Sequence, residues 1–247
     1  MSEVSLEKIR EALQRIRPIV PESSVKESLY LQRRTGVRTF LKLENLNLSG
    51  SFKIRGALNA LLRLGKDELA RGVIAASAGN HAQGVAYACK LLGARATIFM
   101  PERAPLVKAE STRELGAEVR LSGNSYDEAF RAARAFREET GGVLVHGFED
   151  PGVMNGQGTL ALELLEQVPD LGLVVASVGG GGMIAGVATA VKAVRPDIVV
   201  VGVQSSAFPA MQRSFAGGHL VSGSSGSTIA DGIAISKPGK HPYEIIR

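Results

Sequence analysis

Two hydrophobic periods alternate along this chain. Leu6, Ile9, Leu13 and Ile16 recur at helical spacing and predict an amphipathic helix over Val4–Ile16, ended by Pro18 and Pro21. Arg38–Glu44 alternates instead, with Phe40, Leu41 and Leu43 set against Lys42 and Glu44, and reads as a strand. A polar turn, Asn45–Gly50, then leads to a helix with apolar positions Ile54, Ala57, Leu58, Leu61 and Leu62. Beyond it, short apolar runs predict strands at Val73–Ala76, Ala96–Met100, Val143–His146, Leu173–Ser177 and Ile198–Val203, and Glu118–Leu121 reads as a further strand among them. Helical patterns separate them: one reaching Leu92, then Pro105–Leu115, Asp127–Glu139, Gln157–Gln167 and Ile184–Val194. Strand–helix alternation of this kind predicts an α/β fold with parallel sheets and right-handed crossovers.

No internal repeat or low-complexity linker divides the chain. The strand–helix units between about Leu62 and Asp150 are sufficient for a sheet of their own. The expected organisation is therefore two-lobed: residues 63–150 as a small lobe, with 1–62 and 151–247 contributing to a large one.

Composition refines this little. Hydrophobic residues make up 45% of the 247 and charged residues 21%, the balance of a soluble globular protein. The 29 glycines suit tight strand-to-helix turns. The net charge of +5 is dispersed, with Arg131, Arg134 and Arg137 followed by Glu138 and Glu139, so nucleic acid is not an expected partner. Cys89 is the single cysteine, which excludes an intrachain disulfide and fits a reducing, cytoplasmic setting. Met1–Arg10 alternates acids and bases without an apolar signal core. Leu171–Val191 is uncharged and long enough to cross a bilayer. Four consecutive glycines at its centre predict a strand, a loop and a helix instead, and no membrane span is expected.

Three segments carry candidate chemistry. Lys53 stands between a polar turn and an apolar helical stripe. A helix N-terminus disfavours an ammonium, and lysine is the side chain that burial most readily neutralises for Schiff-base chemistry. On this segment alone, a solvated helix-start lysine and a reactive amine both remain open. Gly179, Gly180, Gly181 and Gly182 follow an apolar strand and open a helix near Met183, a phosphate cradle in principle. They match neither a Walker loop nor the dinucleotide Gly-x-Gly-x-x-Gly pattern. A tight turn with close strand–helix packing is the alternative, and four glycines exceed what such packing is expected to need. Ser77-Ala78-Gly79-Asn80-His81 repeats the strand–turn–helix arrangement, as a carboxylate site or as a plain N-cap by Ser77 or Asn80. A lysine, a phosphate loop and a carboxylate loop together suit a phosphate-bearing aldehyde facing an amino acid, which is pyridoxal phosphate chemistry.

Five segments in order then give a specific resemblance: Ser51-Phe52-Lys53-Ile54-Arg55-Gly56-Ala57, Ser77-Ala78-Gly79-Asn80-His81-Ala82-Gln83-Gly84, Gly156-Gln157-Gly158-Thr159, the tetraglycine with Met183, and Ala230-Asp231-Gly232. Over essentially its whole length the chain resembles the two-lobed fold type II pyridoxal-phosphate enzymes, related to the tryptophan synthase β fold, and among them the threonine/serine dehydratases. The resemblance implies pyridoxal 5'-phosphate as cofactor and L-threonine or L-serine as small-molecule substrate, converted to a 2-oxo acid and ammonia. It implies that Lys53 binds the cofactor as an imine and later removes the Cα proton, with Phe52 beside the cofactor ring and Asn80 on its 3-hydroxyl. Residues Gly179–Gly182 and Met183 would take the phosphate. Ser77, Ala78, Gly79, Asn80 and His81 would take the substrate carboxylate. It also implies a homo-oligomer, dimer or tetramer.

Departures narrow the branch. The cysteine-synthase branch carries Thr where His81 stands. Ala78 replaces the hydroxyl residue of serine racemases and cannot transfer a proton, which disfavours racemisation. Gln204 and Ala210 replace acids that hold a divalent cation in some relatives, so no metal site is expected. Asn155 replaces a small residue, without a functional reading. His81, His146, His219 and His241 lack metal-ligand spacing and read as structural or surface residues. Asp231 lies in a family loop near the cofactor, but a turn role is equally open for it. Glu102, Glu149 and Asp150 read as surface acids. Family members continue past the position of Arg247, so the C-terminal part of the large lobe is expected to be missing, leaving apolar surface uncovered. A non-catalytic relative that binds cofactor or a partner is the other function class left open.

Overall fold

The computed structural model describes residues 3–223 and 226–247. The Ser5 hydroxyl accepts from Lys8 N and starts α1 (Leu6–Ile16), which buries Ile9, Ala12 and Ile16. Two short strands, β1 (Val25–Glu27) and β2 (Phe40–Lys42), pair antiparallel on either side of α2 (Leu29–Thr35). After α3 (Lys53–Leu62) and α4 (Lys66–Arg71), the expected alternation begins. It runs through β3 (Val73–Ala76), α5 (Asn80–Leu92), β4 (Ala96–Met100), α6 (Leu106–Glu114), β5 (Glu118–Leu121), α7 (Tyr126–Thr140) and β6 (Val143–Leu144).

These four strands form one parallel sheet in the order β5-β4-β3-β6, with Val73 opposite both Ala96 and Val143. All four residues of β3 are buried, as a central parallel strand covered on both faces requires. The chain continues through α8 (Pro151–Gln167), β7 (Leu173–Ser177), α9 (Gly182–Val194), β8 (Val199–Val203), α10 (Ala210–Gly217) and α11 (Lys240–Ile246). β7 and β8 pair in parallel, with Leu173 opposite Val199. Val174 and Ala176 face inward, whereas Leu173, Val175, Val199, Val201 and Val203 are exposed. The uncharged Leu171–Val191 stretch is thus divided between β7, the glycine loop and α9, and among the described residues no helix is long and apolar enough to cross a membrane.

Helix α8 is the central element, starting at Pro151 rather than at Gln157. Pro151 suits a first helical turn, and the Asp150 carboxylate accepts from Val153 N at 3.0 Å. Helices α3 and α9 both cross α8 at glycines. A Cβ on Gly156 would stand 2.6 Å from Arg55 O, and one on Gly186 would stand 2.2 Å from Met154 O. The Gly156-Gln157-Gly158-Thr159 segment is therefore a place where backbones touch. Asn155 also acquires a role: it donates to Glu3 O and accepts from Ser5 N, tying down the start of α1.

Beneath α3 lies a buried ionic network. Arg55 is 0% exposed. Its Nη1 and Nη2 donate to the two Glu163 oxygens at 2.7 and 2.8 Å, and its Nε and Nη2 donate to Glu44 at 2.9 Å. Lys42 Nζ completes the cluster, 2.7 Å from Glu163.

Candidate active site

Lys53 is the first residue of α3, and its backbone N–H donates to Ser51 Oγ at 3.4 Å. Its Nζ donates to Gly147 O at 2.8 Å and lies 5.3 Å from the centre of the Phe52 ring. Burial of the amine lowers its pKa from 10.5 to about 8. Gly84 of α5 permits this placement, since a Cβ there would come within 3.1 Å of the Lys53 backbone.

Ser77 follows β3 directly, and its hydroxyl accepts from Gly79 N at 3.2 Å. Neither Ser77 nor Asn80 caps α5. The capping position is Gly79, which brings no side chain, so the first N–H groups of the helix face outward as an anion-binding end. His81 is buried and donates from Nε2 to Val145 O at 3.0 Å, a tautomer that leaves Nδ1 unprotonated, buried and unpartnered. Burial, and then the nearby Lys53 charge, push its pKa down to about 3, so the ring is neutral at physiological pH.

The glycine loop shows a similar open end. Gly181 adopts the left-handed conformation (φ 97°) and caps α9 without a side chain. The expectation that four glycines exceed the needs of packing is corrected here. A Cβ on Gly180 would lie 2.4 Å from the Phe148 ring, one on Gly181 2.5 Å from Met211 Cε, and one on Gly182 2.7 Å from Phe148 Cα. Packing alone requires glycine at these three positions, and the feature suited to a phosphate is the uncapped start of α9. Gly180→Ala is expected to displace Phe148 and cost about 1–3 kcal/mol, read as a lower urea midpoint. Met183 is half-buried between two apolar clusters.

Two loops bring these parts together. In residues 146–150, Gly147 offers its carbonyl to Lys53 and packs against the His81 ring, while Phe148 packs on Gly180 and Gly182. The loop around the 3-10 turn Asp231–Ile233 packs Ile233 and Ile235 on Gly179 and sets Gly232 near Asn80 Nδ2. Asp231 pairs with Lys108 of α6. Sequence reasoning missed His146, Phe148 and Glu149 as parts of this site. Glu149 is not a plain surface acid, because its carboxylate accepts from Lys240 N and His241 N at the start of α11. Asp150 caps α8. An aromatic–acid run immediately before a helix-starting proline was the available signal.

A parallel α/β fold in which Gly147 and Phe148 link a buried lysine amine to the uncapped starts of α5 and α9 suits a class of enzymes that hold an anionic carbonyl cofactor. The chain belongs to the pyridoxal-phosphate dependent enzyme family, whose profile matches residues 17–247. It is 48% identical to an L-threonine ammonia-lyase of Thermotoga maritima over 99% of this chain and 61% of that protein, so it spans about three-fifths of that relative's length. It superposes on maize serine racemase with a TM-score of 0.96 at 36% identity, covering 100% of this chain and 74% of that one. The processed threonine deaminase isoform 2 of Solanum lycopersicum gives a TM-score of 0.91 at 39% identity, covering 96% and 66% respectively.

The residues present fit the cofactor of this family. Pyridoxal phosphate needs an amine that gives up its proton more readily than a solvated lysine and a concentration of N–H donors for its phosphate. Lys53, with its pKa lowered to about 8, and the start of α9 would suit these needs, and they are joined through adjacent residues of one loop, Gly147 and Phe148.

Proposed function

We propose that the protein binds pyridoxal 5'-phosphate at Lys53 and converts L-threonine, or L-serine, to 2-oxobutyrate, or pyruvate, with release of ammonia. The observation that carries this reading is the Lys53 amine, held 2.8 Å from Gly147 O with its pKa lowered to about 8. When bound, the cofactor supplies an electron sink for the bonds around the substrate Cα. The N–H groups of Gly182 and Met183 at the start of α9 would hold the phosphate, and Phe52 and Asn80 would flank the ring. The start of α5, from Ser77 to His81, would hold the substrate carboxylate. Lys53 Nζ would take up the proton of the substrate Cα, steered by the Gly147 carbonyl, and the β-hydroxyl would leave as water. His81, neutral and bonded to Val145 O, would shape the pocket without adding charge.

The lobe division at residues 62/63 and 150/151, a cytoplasmic location and assembly as a dimer or tetramer belong to the same proposal. The likeness to maize serine racemase favours racemisation as a second reading. Ala78 speaks against it, having no proton to transfer on the face opposite Lys53.

The test uses the full chain with pyridoxal phosphate and L-threonine or L-serine. Absorbance of lysine-bound cofactor together with 2-oxo acid formation is the expected result. D-Serine without oxo acid would establish the racemase reading instead. Cofactor absorbance without either product would leave a non-catalytic binder.

A further inference from the structure

The 146–150 loop touches both the lysine and the glycine cradle, yet it has little regular structure to hold it. Gly147 O accepts from Lys53 Nζ, and the next residue, Phe148, fills the space above Gly180 and Gly182. The N–H groups of Phe148 and Glu149 have no backbone acceptor. Both donate to a single atom, His146 Nδ1, at 3.3 and 3.1 Å. The ring stands edge-on to Phe148 at 4.5 Å and to Phe130 of α7 at 5.2 Å. Its Nε2 lies 3.5 Å from Tyr126 OH.

We infer that His146 is a positioning residue, whose Nδ1 gathers the Phe148 and Glu149 N–H groups and thereby fixes the Gly147 carbonyl on Lys53 and the Phe148 ring on the glycine loop. The inference rests on Lys53 being the cofactor-binding amine. Accepting two N–H donors requires an unprotonated Nδ1, with the ring proton on Nε2 towards Tyr126. The charged and titratable groups around the ring are Lys53, Glu149, Tyr126 and His81, the last itself neutral. Burial is the main influence on the imidazole and, with Lys53, disfavours its charged form, and Glu149 opposes them; the balance leaves its pKa at about 4.

A packing role and a positioning role make opposite demands on substitutions. His146→Phe keeps an aromatic ring against Phe130 and Phe148 but has no acceptor. His146→Asn loses the ring but offers an oxygen to N–H groups two and three residues on, as in an Asx turn. Equilibrium dialysis of pyridoxal phosphate against the folded full chain reads the difference. The Asn variant is expected to bind within roughly threefold of the original, and the Phe variant about tenfold or more weakly, the scale of two lost hydrogen bonds. The reverse order, or a Phe variant that binds like the original, would overturn the inference. Failure of the unsubstituted chain to bind would instead overturn the reading of Lys53. Should a variant not fold, imidazole 15N NMR of the unsubstituted protein provides the same decision. A neutral ring with unprotonated Nδ1 across pH 5–8 is expected, and a proton on Nδ1, or titration in the ordinary histidine range, rejects the role.

Discussion

Replacing Lys53 with alanine is expected to abolish the absorbance of lysine-bound cofactor and to lower the proposed 2-oxo acid formation by at least about 10²–10⁴-fold, the loss that removal of the proton-transfer group alone would give. Two other lysines are held elsewhere by ion pairs. Lys42 is committed to Glu163, Gln167 and Ser23 O, and Lys108 to Asp231. The pH dependence follows from the same burial. In the cofactor-free protein the Lys53 amine loses its proton near pH 8 rather than 10.5, so trapping of an added aldehyde by borohydride should rise through about pH 8 and then level. Stability moves in a linked way. Between about pH 8 and the unfolded lysine value of about 10.4, the unfolded chain binds more protons than the folded one, so folding becomes more favourable as pH rises through that window. Below it the buried charge is a constant burden. Lys53→Met, which keeps much of the volume and removes the charge, should raise the Tm of the cofactor-free protein at pH 7, with the gain shrinking towards pH 10. A midpoint near 10 for the trapping reaction would show a solvated lysine and remove the basis of the proposed function.

What the sequence made legible was local. β3 and β4 fall where the apolar runs place them, because a buried parallel strand is written in consecutive apolar residues, whereas β5 and β7 keep their expected bounds although most of their residues are exposed. Helix α2 left no such trace: none of its residues is buried, and Leu29 and Tyr30 point outward, so no apolar stripe exists to read. The first half of α8 was illegible for the opposite reason. Gly152, Gly156 and Gly158 lie in its fully buried part, where close helix crossings replace bulky side chains, and a pattern of glycines does not resemble a helix. The site divides in the same way. Lys53 and residues 179–182 announce themselves by residue type in a strand–turn–helix context. The Gly147 carbonyl cannot, since its importance lies in a backbone atom facing a side chain 94 positions away. Arg55 lies inside a recognised segment, yet its partner Glu163 is 108 positions distant and reads, in sequence, as one more acid on a helix.

That pairing carries the largest stability effect expected in the molecule. Glu163→Ala is predicted to destabilise the fold by about 3–5 kcal/mol, because breaking a buried ion pair from one side leaves uncompensated charge inside. Here two cations would be stranded, Arg55 with both terminal nitrogens on Glu163 and Lys42 with its Nζ at 2.7 Å, while Glu44 alone would remain to answer them. Glu163→Gln keeps the volume and one acceptor and should cost less than the alanine. Combining Glu163→Ala with Lys42→Met should cost less than the sum of the two single changes, since they share one contact. Urea denaturation of the four proteins measures this directly. The network also sets an acid limit. Burial pushes the Glu44 carboxyl up, but the Arg55 hydrogen bonds and charge more than offset it and hold its pKa below the ordinary 4.5. Stability from Glu44 is therefore complete above that value and is lost as pH falls through the lowered one. Arg55 lies in the first turns of α3, two residues after Lys53, so loosening it loosens the amine's seat. Glu163→Gln, if folded, should bind pyridoxal phosphate more weakly than the original although Glu163 does not touch Lys53. A loss of stability below about 1 kcal/mol for Glu163→Ala would place the cluster among solvated surface pairs and sever that link.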